Sequence, residues 1–345
     1  MTTSNKPLCI IIDTNVWLNS SLLRVPIGSS LIYFALQNKA HIGLPEIIEM
    51  EIRKHATRLG KDAIEKIKEN FDKLERLMGW RDDYRLPNLE ELSKNTEARL
   101  DELGNLLLRI PITFEHMKAA LDMVLEELPP NGNKNQQYKD SLIWQAILQL
   151  AQTHEMVFIT EDKAFFEDRE PKKGLALNLK ADILTANGQV SMFYELNSYL
   201  KAVMDTMPPI NESQVTELID SGIRHELEET AQTQGFDLRD RYKANISAYL
   251  TEKSGVLSIS YTITYNAEGK TENEDGIMIP ALLIVEGSCY YNIRFDAITD
   301  VSHALLKIVD SKGESIPGKS IQYLYAQGMA FGGREPIQYR YREAL

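Results

Sequence analysis

The pattern of apolar positions predicts a sheet of parallel strands in the first half of the chain. Residues 8–12 form a continuous apolar run, which is typical of a strand buried on both faces. Residues 40–44 form a second short run, and Pro45 then opens a stretch whose apolar residues recur at helical spacing. Residues 156–159 form another such run. Strands that alternate with helices indicate βαβ units and a parallel sheet.

The segment from about residue 61 to 127 has a helical pattern throughout. Three apolar stripes recur there at helical spacing, the second running from Leu100 to Leu107, and Pro87 and Pro111 separate the stripes. Charges of both signs lie between the apolar positions, as on a solvated face. We therefore predict a helical insertion that folds over the sheet.

The first domain is predicted to span residues 1–206. Near its end, residues 175–179 are predicted as a strand and residues 192–204 as an amphipathic helix. Residues 207–214, MPPINESQ, have the composition of a linker.

The second domain is predicted to span residues 215–345. It begins with one helix over residues 215–231, and apolar and polar residues then alternate, which indicates antiparallel strands. We expect an α+β or mostly β domain. The predicted strand windows are 246–250, 256–265, 277–285, 289–295 and 305–309.

Composition and charge restrict the classes of function. The chain has 345 residues, two cysteines and a net charge of -12. No apolar run approaches the roughly 18 residues of a membrane span, and the N-terminus does not resemble a secretory signal. We therefore expect a cytoplasmic protein that is not associated with a membrane. The negative charge argues against sequence-blind nucleic-acid binding by bulk charge. It is compatible with a nuclease, whose metal site is itself acidic.

Four acidic residues occupy corresponding places at the ends of predicted elements. Asp13 ends the first strand, Glu51 lies on the helix after the second, Asp140 begins a helix after an Asn-rich loop, and Asp162 follows the strand that ends at Thr160. The carboxyl ends of parallel strands meet at one edge of the sheet. Carboxylates gathered there repel each other unless a cation is present, and oxygen ligands suit Mg²⁺ or Mn²⁺.

Each of these acids also has an ordinary structural interpretation. Asp13 and Asp140 are placed where they could cap a helix, and Asp162 could serve a strand-to-helix turn. Glu51 could be an exposed helical acid, and Glu46 is the alternative to it at the site.

Four motifs in this order resemble the PIN domain of metal-dependent ribonucleases: DTNVWL, LPEIIEMEI, KDSLIWQAIL and VFITEDKAFF. The resemblance covers about residues 6–185 and is greatest to larger bacterial proteins with a helical insertion. It implies a three-layer α/β/α domain with a parallel central sheet. It also implies that the metal-binding catalytic acids are Asp13, Glu51, Asp140 and Asp162, and that Asn15 and Thr160 steady them from a second layer.

The function implied by the resemblance is endonucleolytic cleavage of single-stranded RNA by water activated at Mg²⁺ or Mn²⁺, leaving 3′-hydroxyl and 5′-phosphate ends. A role as a toxin or phage-defence effector is a further expectation, with an inhibitory protein or a second copy of the chain as partner. Basic residues near the acids are candidates for substrate binding: Arg53, Lys54, Lys139 and Lys163. The alternatives are a catalytically silent PIN-like module that binds RNA or protein, and a structure-specific DNA nuclease.

Overall fold

The chain folds into two compact units. One consists of Met1–Leu22 and Phe34–Tyr199, and the other of Leu23–Tyr33 and Leu200–Leu345. The predicted linker starts with residues 207–209, which lie outside the described part of the chain, and the predicted boundary at residue 206 stays a prediction. The computed structural model describes residues 6–79, 86–132, 136–204, 210–253, 255–270, 278–310, 313, 314, 316, 322–324 and 330–332.

The first unit is built on a five-stranded parallel sheet, as the sequence predicted. Its strands stand in the order β3-β2-β1-β4-β5, and every neighbouring pair is parallel. The order reverses between β1 and β4, which is where open α/β sheets form a crevice for ligands. The strands are β1 (Leu8–Ile12), β2 (His41–Pro45), β3 (Leu107–Ile110), β4 (Glu155–Ile159) and β5 (Gln189–Phe193).

Helices flank this sheet and connect its strands. They make the predicted three-layer α/β/α arrangement, with the apolar runs of β1, β2 and β4 almost completely buried in the middle layer. The helices of this part of the chain are α1 (Thr14–Asn19), α2 (Pro26–Gln37), α3 (Glu46–Met78), α4 (Leu89–Glu102), α5 (Phe114–Leu125), α6 (Tyr138–Ala151), α7 (Leu177–Thr185) and α8 (Leu196–Val203), and α2 and α8 each have residues in both compact units.

Two predicted elements of the first unit are wrong. Leu107, assigned to a helical stripe, begins β3, which pairs with β2, so the segment 61–127 contains a strand of the central sheet as well as helices. The strand predicted over 175–179 is absent, since α7 begins at Leu177. The edge strand is β5, whose last two residues were predicted as the start of the helix over 192–204, and that helix begins only at Leu196. In both places the segment is too short for its apolar residues to distinguish the spacing of a strand from that of a helix.

The second unit is an antiparallel sheet with a helix packed on one face, which agrees with the predicted α+β class. The helix is α9 (Glu212–Thr233), and its buried residues recur every four positions from Val215 to Ala231. The sheet order is β10-β9-β8-β7-β6, and β11 also pairs with β9. Its strands are β6 (Phe236–Leu250), β7 (Val256–Lys270), β8 (Met278–Asn292), β9 (Ala297–Asp310), β10 (Gln322–Leu324) and β11 (Ala330–Gly332).

The core of the second unit shows the period of two that the sequence indicated. Along β7 every second residue from Leu257 to Ala267 is buried, and these side chains form one apolar cluster with α9. Within the described part of the chain, no helix has the length and apolar character needed to cross a bilayer.

Candidate functional site

Asp13 and Thr160 lie side by side where the strand order of the parallel sheet reverses. Asp13 directly follows β1 and Thr160 directly follows β4, and the two strands are paired along their whole length. The Asp13 N–H donates to the Ile159 carbonyl at 2.9 Å, which continues the ladder by one residue. Both side chains therefore enter the crevice at the carboxyl edge of the sheet.

Asp13 is buried, and each of its two carboxylate oxygens accepts one hydrogen bond. Its Oδ1 accepts the Thr14 N–H at 2.7 Å, as expected for an N-cap of α1, and its Oδ2 accepts the Thr160 hydroxyl at 2.7 Å. Only 5% of Asp13 is exposed. Its pKa is raised to about 6, mainly by burial and to a smaller extent by the charges of Asp162 and Glu51, while the bonds from Thr160 and Thr14 oppose the rise. Capping and a site role thus coincide in this residue.

Thr160 joins Asp13 to Asp162. The Thr160 hydroxyl that donates to Asp13 accepts the Asp162 N–H at 3.0 Å. The Asp162 carboxylate in turn accepts the Ala164 N–H at 2.8 Å and the Gln137 side-chain amide at 3.1 Å. Side-chain hydrogen bonds of Thr160 and Asp162 therefore hold the turn after β4, and Thr160 is completely buried.

Asp140 lies in the first turn of α6 and makes no hydrogen bond with any residue that the structure describes. It does not cap the helix, whose N-cap position is occupied by Gln137. The pKa of Asp140 is raised to about 8, first by burial and then by the charges of Asp13, Asp162 and Glu51, while Lys139 opposes the rise. The four acids thus lie within electrostatic range of one another, as a shared site requires.

Glu51 joins this group through Thr14 and Lys139. The Thr14 hydroxyl donates to Glu51 Oε2 at 2.8 Å, and Lys139 Nζ lies 2.6 Å from Glu51 Oε1. Glu46, the sequence-based alternative, instead accepts the Ile112 N–H at 2.8 Å. That bond ties Glu46 to the segment after β3, which favours Glu51 as the fourth acid.

The second-layer role of Asn15 stays a prediction, and the hydrogen bonds of the structure place Thr14 rather than Asn15 beside the acids. Asn15 is exposed and makes no hydrogen bond within the described residues, whereas Thr14 is buried and bonds Glu51. The reason is that Asp13 caps α1, so that the first helical residue, Thr14, lies beside the acids.

Gln137 is a residue of the site that the sequence did not single out. Its amide donates to Asp162, and its N–H is held by Asn131 Oδ1 at 2.7 Å, so the loop before α6 is packed against the turn after β4. The available signal was its position just before Asp140, in a loop with several amides.

The candidate cations differ in their availability. Arg53 forms ion pairs with Glu49 and Glu97, both at 2.7 Å, and Lys139 is paired with Glu51. Lys54 and Lys163 are exposed and make no ion pair within the described part of the chain. These two lysines are therefore the better candidates for phosphate contacts.

The chemistry of the site fits a hard divalent ion. Within the described residues no three His, Cys, Asp or Glu side chains are close enough to form a ready cage. Mg²⁺ does not require one, because it is commonly held by one or two carboxylates together with waters. Asp140 lacks a hydrogen-bond donor within the described residues, and the buried Gln137 Oε1 has no partner there either, so oxygen ligands are at hand.

Comparison with known proteins gives one family. Residues 10–165 match the family model described as PIN domain, a range that includes all four acids and Thr160. No curated protein and no solved structure matches the chain.

Proposed function

Residues 10–165 belong to the PIN domain family, which indicates a nuclease in general, and we propose that the chain is a metal-dependent endoribonuclease of single-stranded RNA. The observation that supports this proposal best is the set of four acids at the strand-order reversal, where neighbouring carboxylates help to raise the pKa of Asp13 and of Asp140. Such repulsion is costly unless the site takes up a cation or a proton. The choice of RNA over DNA follows from the resemblance of the motifs.

The ion would be Mg²⁺ or Mn²⁺, held by Asp13 and Asp140 with Asp162 and Glu51 around them. When bound, it supplies positive charge that lowers the pKa of water and stabilises a phosphoryl oxygen during displacement. Thr160 holds the carboxylate of Asp13 and the backbone of Asp162 in place. Residues that hydrogen-bond to metal ligands commonly orient them in this way.

Asp140 is the best candidate to accept the proton of the attacking water. Its carboxylate accepts no hydrogen bond from any residue that the structure describes, so an oxygen that does not hold the ion is available for that proton. The water oxygen attacks phosphorus, the bond from phosphorus to the 3′ oxygen breaks, and the departing oxygen takes up a proton. The products are a 3′-hydroxyl end and a 5′-phosphate end.

Cleavage of matched RNA and DNA oligonucleotides tests the proposal. The wild-type chain with Mn²⁺ should cut single-stranded RNA, and EDTA, Asp13→Asn or Asp140→Asn should each abolish cutting. Glu161→Gln is the matched control, because Glu161 neighbours Asp162 but bonds Asn19 at 3.1 Å. Cleavage that survives EDTA and Asp13→Asn would reject the assignment.

The same assay separates the two alternatives. RNA retained without cleavage, unaffected by metal or by Asp13→Asn, would favour a silent binding module. Metal-dependent cleavage of flapped or branched DNA in preference to RNA would favour a DNA nuclease.

We further propose a cytoplasmic role as a toxin or defence effector. Induced expression in a bacterial host should then slow growth with the wild-type chain and not with Asp13→Asn. Equal growth of the two strains at equal protein levels would contradict this role.

A further inference from the structure

Helix α3 is more than twice as long as the helix that packs along it. α3 has 33 residues and α4 has 14, which correspond to about 50 Å and 21 Å at the helical rise. α4 runs back along the first part of α3: Glu97 pairs with Arg53 at 2.7 Å, and Leu92 fits against Gly60, where an added Cβ would lie 2.5 Å from Leu92 Cδ1. Residues 64–78 of α3, here called the distal arm, extend past the start of α4.

Apolar residues follow the distal arm in a heptad pattern. They stand at positions 64, 67, 71, 74 and 78, with spacings of three and four in alternation, as at the a and d positions of a coiled coil. Ile67, Leu74 and Met78 are 40%, 49% and 66% exposed, and Ile64 and Phe71 are half-buried. An apolar seam of this kind on a helix surface fits the same kind of seam on another helix.

We propose that the distal arm pairs with the distal arm of a second copy of this chain, as an antiparallel two-helix coiled coil. The charges beside the seam select this partner. Lys68 and Glu75 occupy the same flanking position in successive heptads, and neither makes an ion pair within the described residues. In an antiparallel pair with Ile67 level with Met78 of the second copy, each Lys68 lies opposite a Glu75.

The same charges disfavour a parallel pair. There Asn70 would lie opposite Glu75, and Ala63 opposite Lys68, so no opposite charges would meet. The antiparallel pair is two-fold symmetric, with the same surface on both copies, which is the commonest form of a homodimer contact.

The distal arm is already helical before it pairs. α3 is one continuous helix, and Ile48 and Ile52 in its first part are completely buried. Short isolated coiled coils are unstable mainly because forming the helices costs free energy. In this chain the helix is already formed in each copy before the two copies pair. Two heptads can therefore support a reversible dimer.

Charge reversal tests both the partner and the direction. Lys68→Glu or Glu75→Lys alone places like charges opposite each other twice, and should raise the dimer dissociation constant about tenfold or more. The double variant should restore wild-type dimerisation. A tagged Lys68→Glu chain should also retain an untagged Glu75→Lys chain, because each supplies the charge that the other lacks.

Light scattering coupled to gel filtration, over a series of protein concentrations, gives the dissociation constants. Leu74→Glu should make the chain monomeric, whereas Leu59→Glu, on the same helix outside the seam and with similar exposure (52%), should leave the dimer intact. A wild-type chain that stays monomeric throughout would overturn the proposal. So would a dimer that survives Leu74→Glu, or one that is indifferent to both single charge reversals.

Discussion

At the scale of single residues, the raised pKa of Asp140 favours its neutral form, whereas the proposed metal binding requires its carboxylate. Its pKa is raised from 3.8 to about 8, first by burial and then by Asp13, Asp162 and Glu51. Between these two pH values the folded chain holds a proton that the unfolded chain releases. The neutral form thus supports the fold below about pH 4, and this contribution is lost as the pH rises through 8.

Asp140→Asn should therefore stabilise the metal-free protein at pH 8. The free energy of unfolding in urea with EDTA should rise by about 1–3 kcal/mol over wild type, and the two should differ little near pH 4. Added Mn²⁺ should stabilise wild type far more than the variant, because only the carboxylate binds it. A variant less stable than wild type at pH 8 in EDTA would contradict the raised pKa.

Thr160→Val should impair both the fold and the site. The change keeps the shape but removes the hydroxyl that donates to Asp13 and accepts the Asp162 N–H, at a completely buried position. We expect a loss of about 1–3 kcal/mol in unfolding free energy, and a 10–100-fold loss in metal affinity or cleavage. Thr160→Ser keeps the hydroxyl and should retain most of both. Equal behaviour of the Val and Ser variants would exclude the bridging role.

The position of the principal acids at the edge of the sheet could be predicted from sequence, but not all of their hydrogen-bond partners could. Asp13 and Asp162 follow apolar runs that end abruptly, and that position alone places them at the edge of the sheet. Gln137 and Thr14 reach their partners only because loops close over the sheet, which no spacing in the sequence encodes. Whether Thr14 or Asn15 lies inside was decided by where α1 begins.

At the scale of elements, short apolar segments were the hardest to predict. β3 has four residues and follows a helix without a clear break in apolar spacing, so strand and helix periods fitted equally. β5 is half-exposed along its length and lacks the apolar run that marks β1 and β4. The 15-residue strand β7 was recognised over residues 256–265, where the alternation persists. β8 was predicted as two windows, 277–285 and 289–295, because polar and small residues at 286–288 interrupt its apolar residues.

Gly43 in β2 provides a test of the packing between the strands and the layer over them. A Cβ at this position would lie 2.6 Å from Ile11 Cγ1 and 2.9 Å from Cys9 Sγ, and both residues are completely buried. Gly43→Ala should therefore cost about 1–3 kcal/mol, measured by urea unfolding. Gly132→Ala, where the nearest atom is Arg169 Nη2 at 3.9 Å, is the control and should cost little. Equal stability of both variants would show that β2 tolerates a shift.

At the scale of the whole molecule, the net charge of -12 limits how an RNA substrate is attracted. Bulk charge repels the phosphate backbone, so binding must rest on a few local cations and on the site itself. Of the four basic candidates, Lys54 and Lys163 make no ion pair within the described residues, and Lys139 forms an ion pair with Glu51. About two or three phosphates can thus be neutralised.

Cleavage should consequently depend only weakly on salt. For a single strand the logarithm of affinity falls with the logarithm of salt at about 0.7 per neutralised phosphate, so we expect a slope of kcat/KM near 2 at fixed Mn²⁺. Lys54→Ala or Lys163→Ala should each lower the slope by about 0.7. Lys73→Ala should not, because Lys73 lies about 33 Å further along α3 than Glu51. A much steeper slope, unchanged by either variant, would reveal a basic surface elsewhere on the chain.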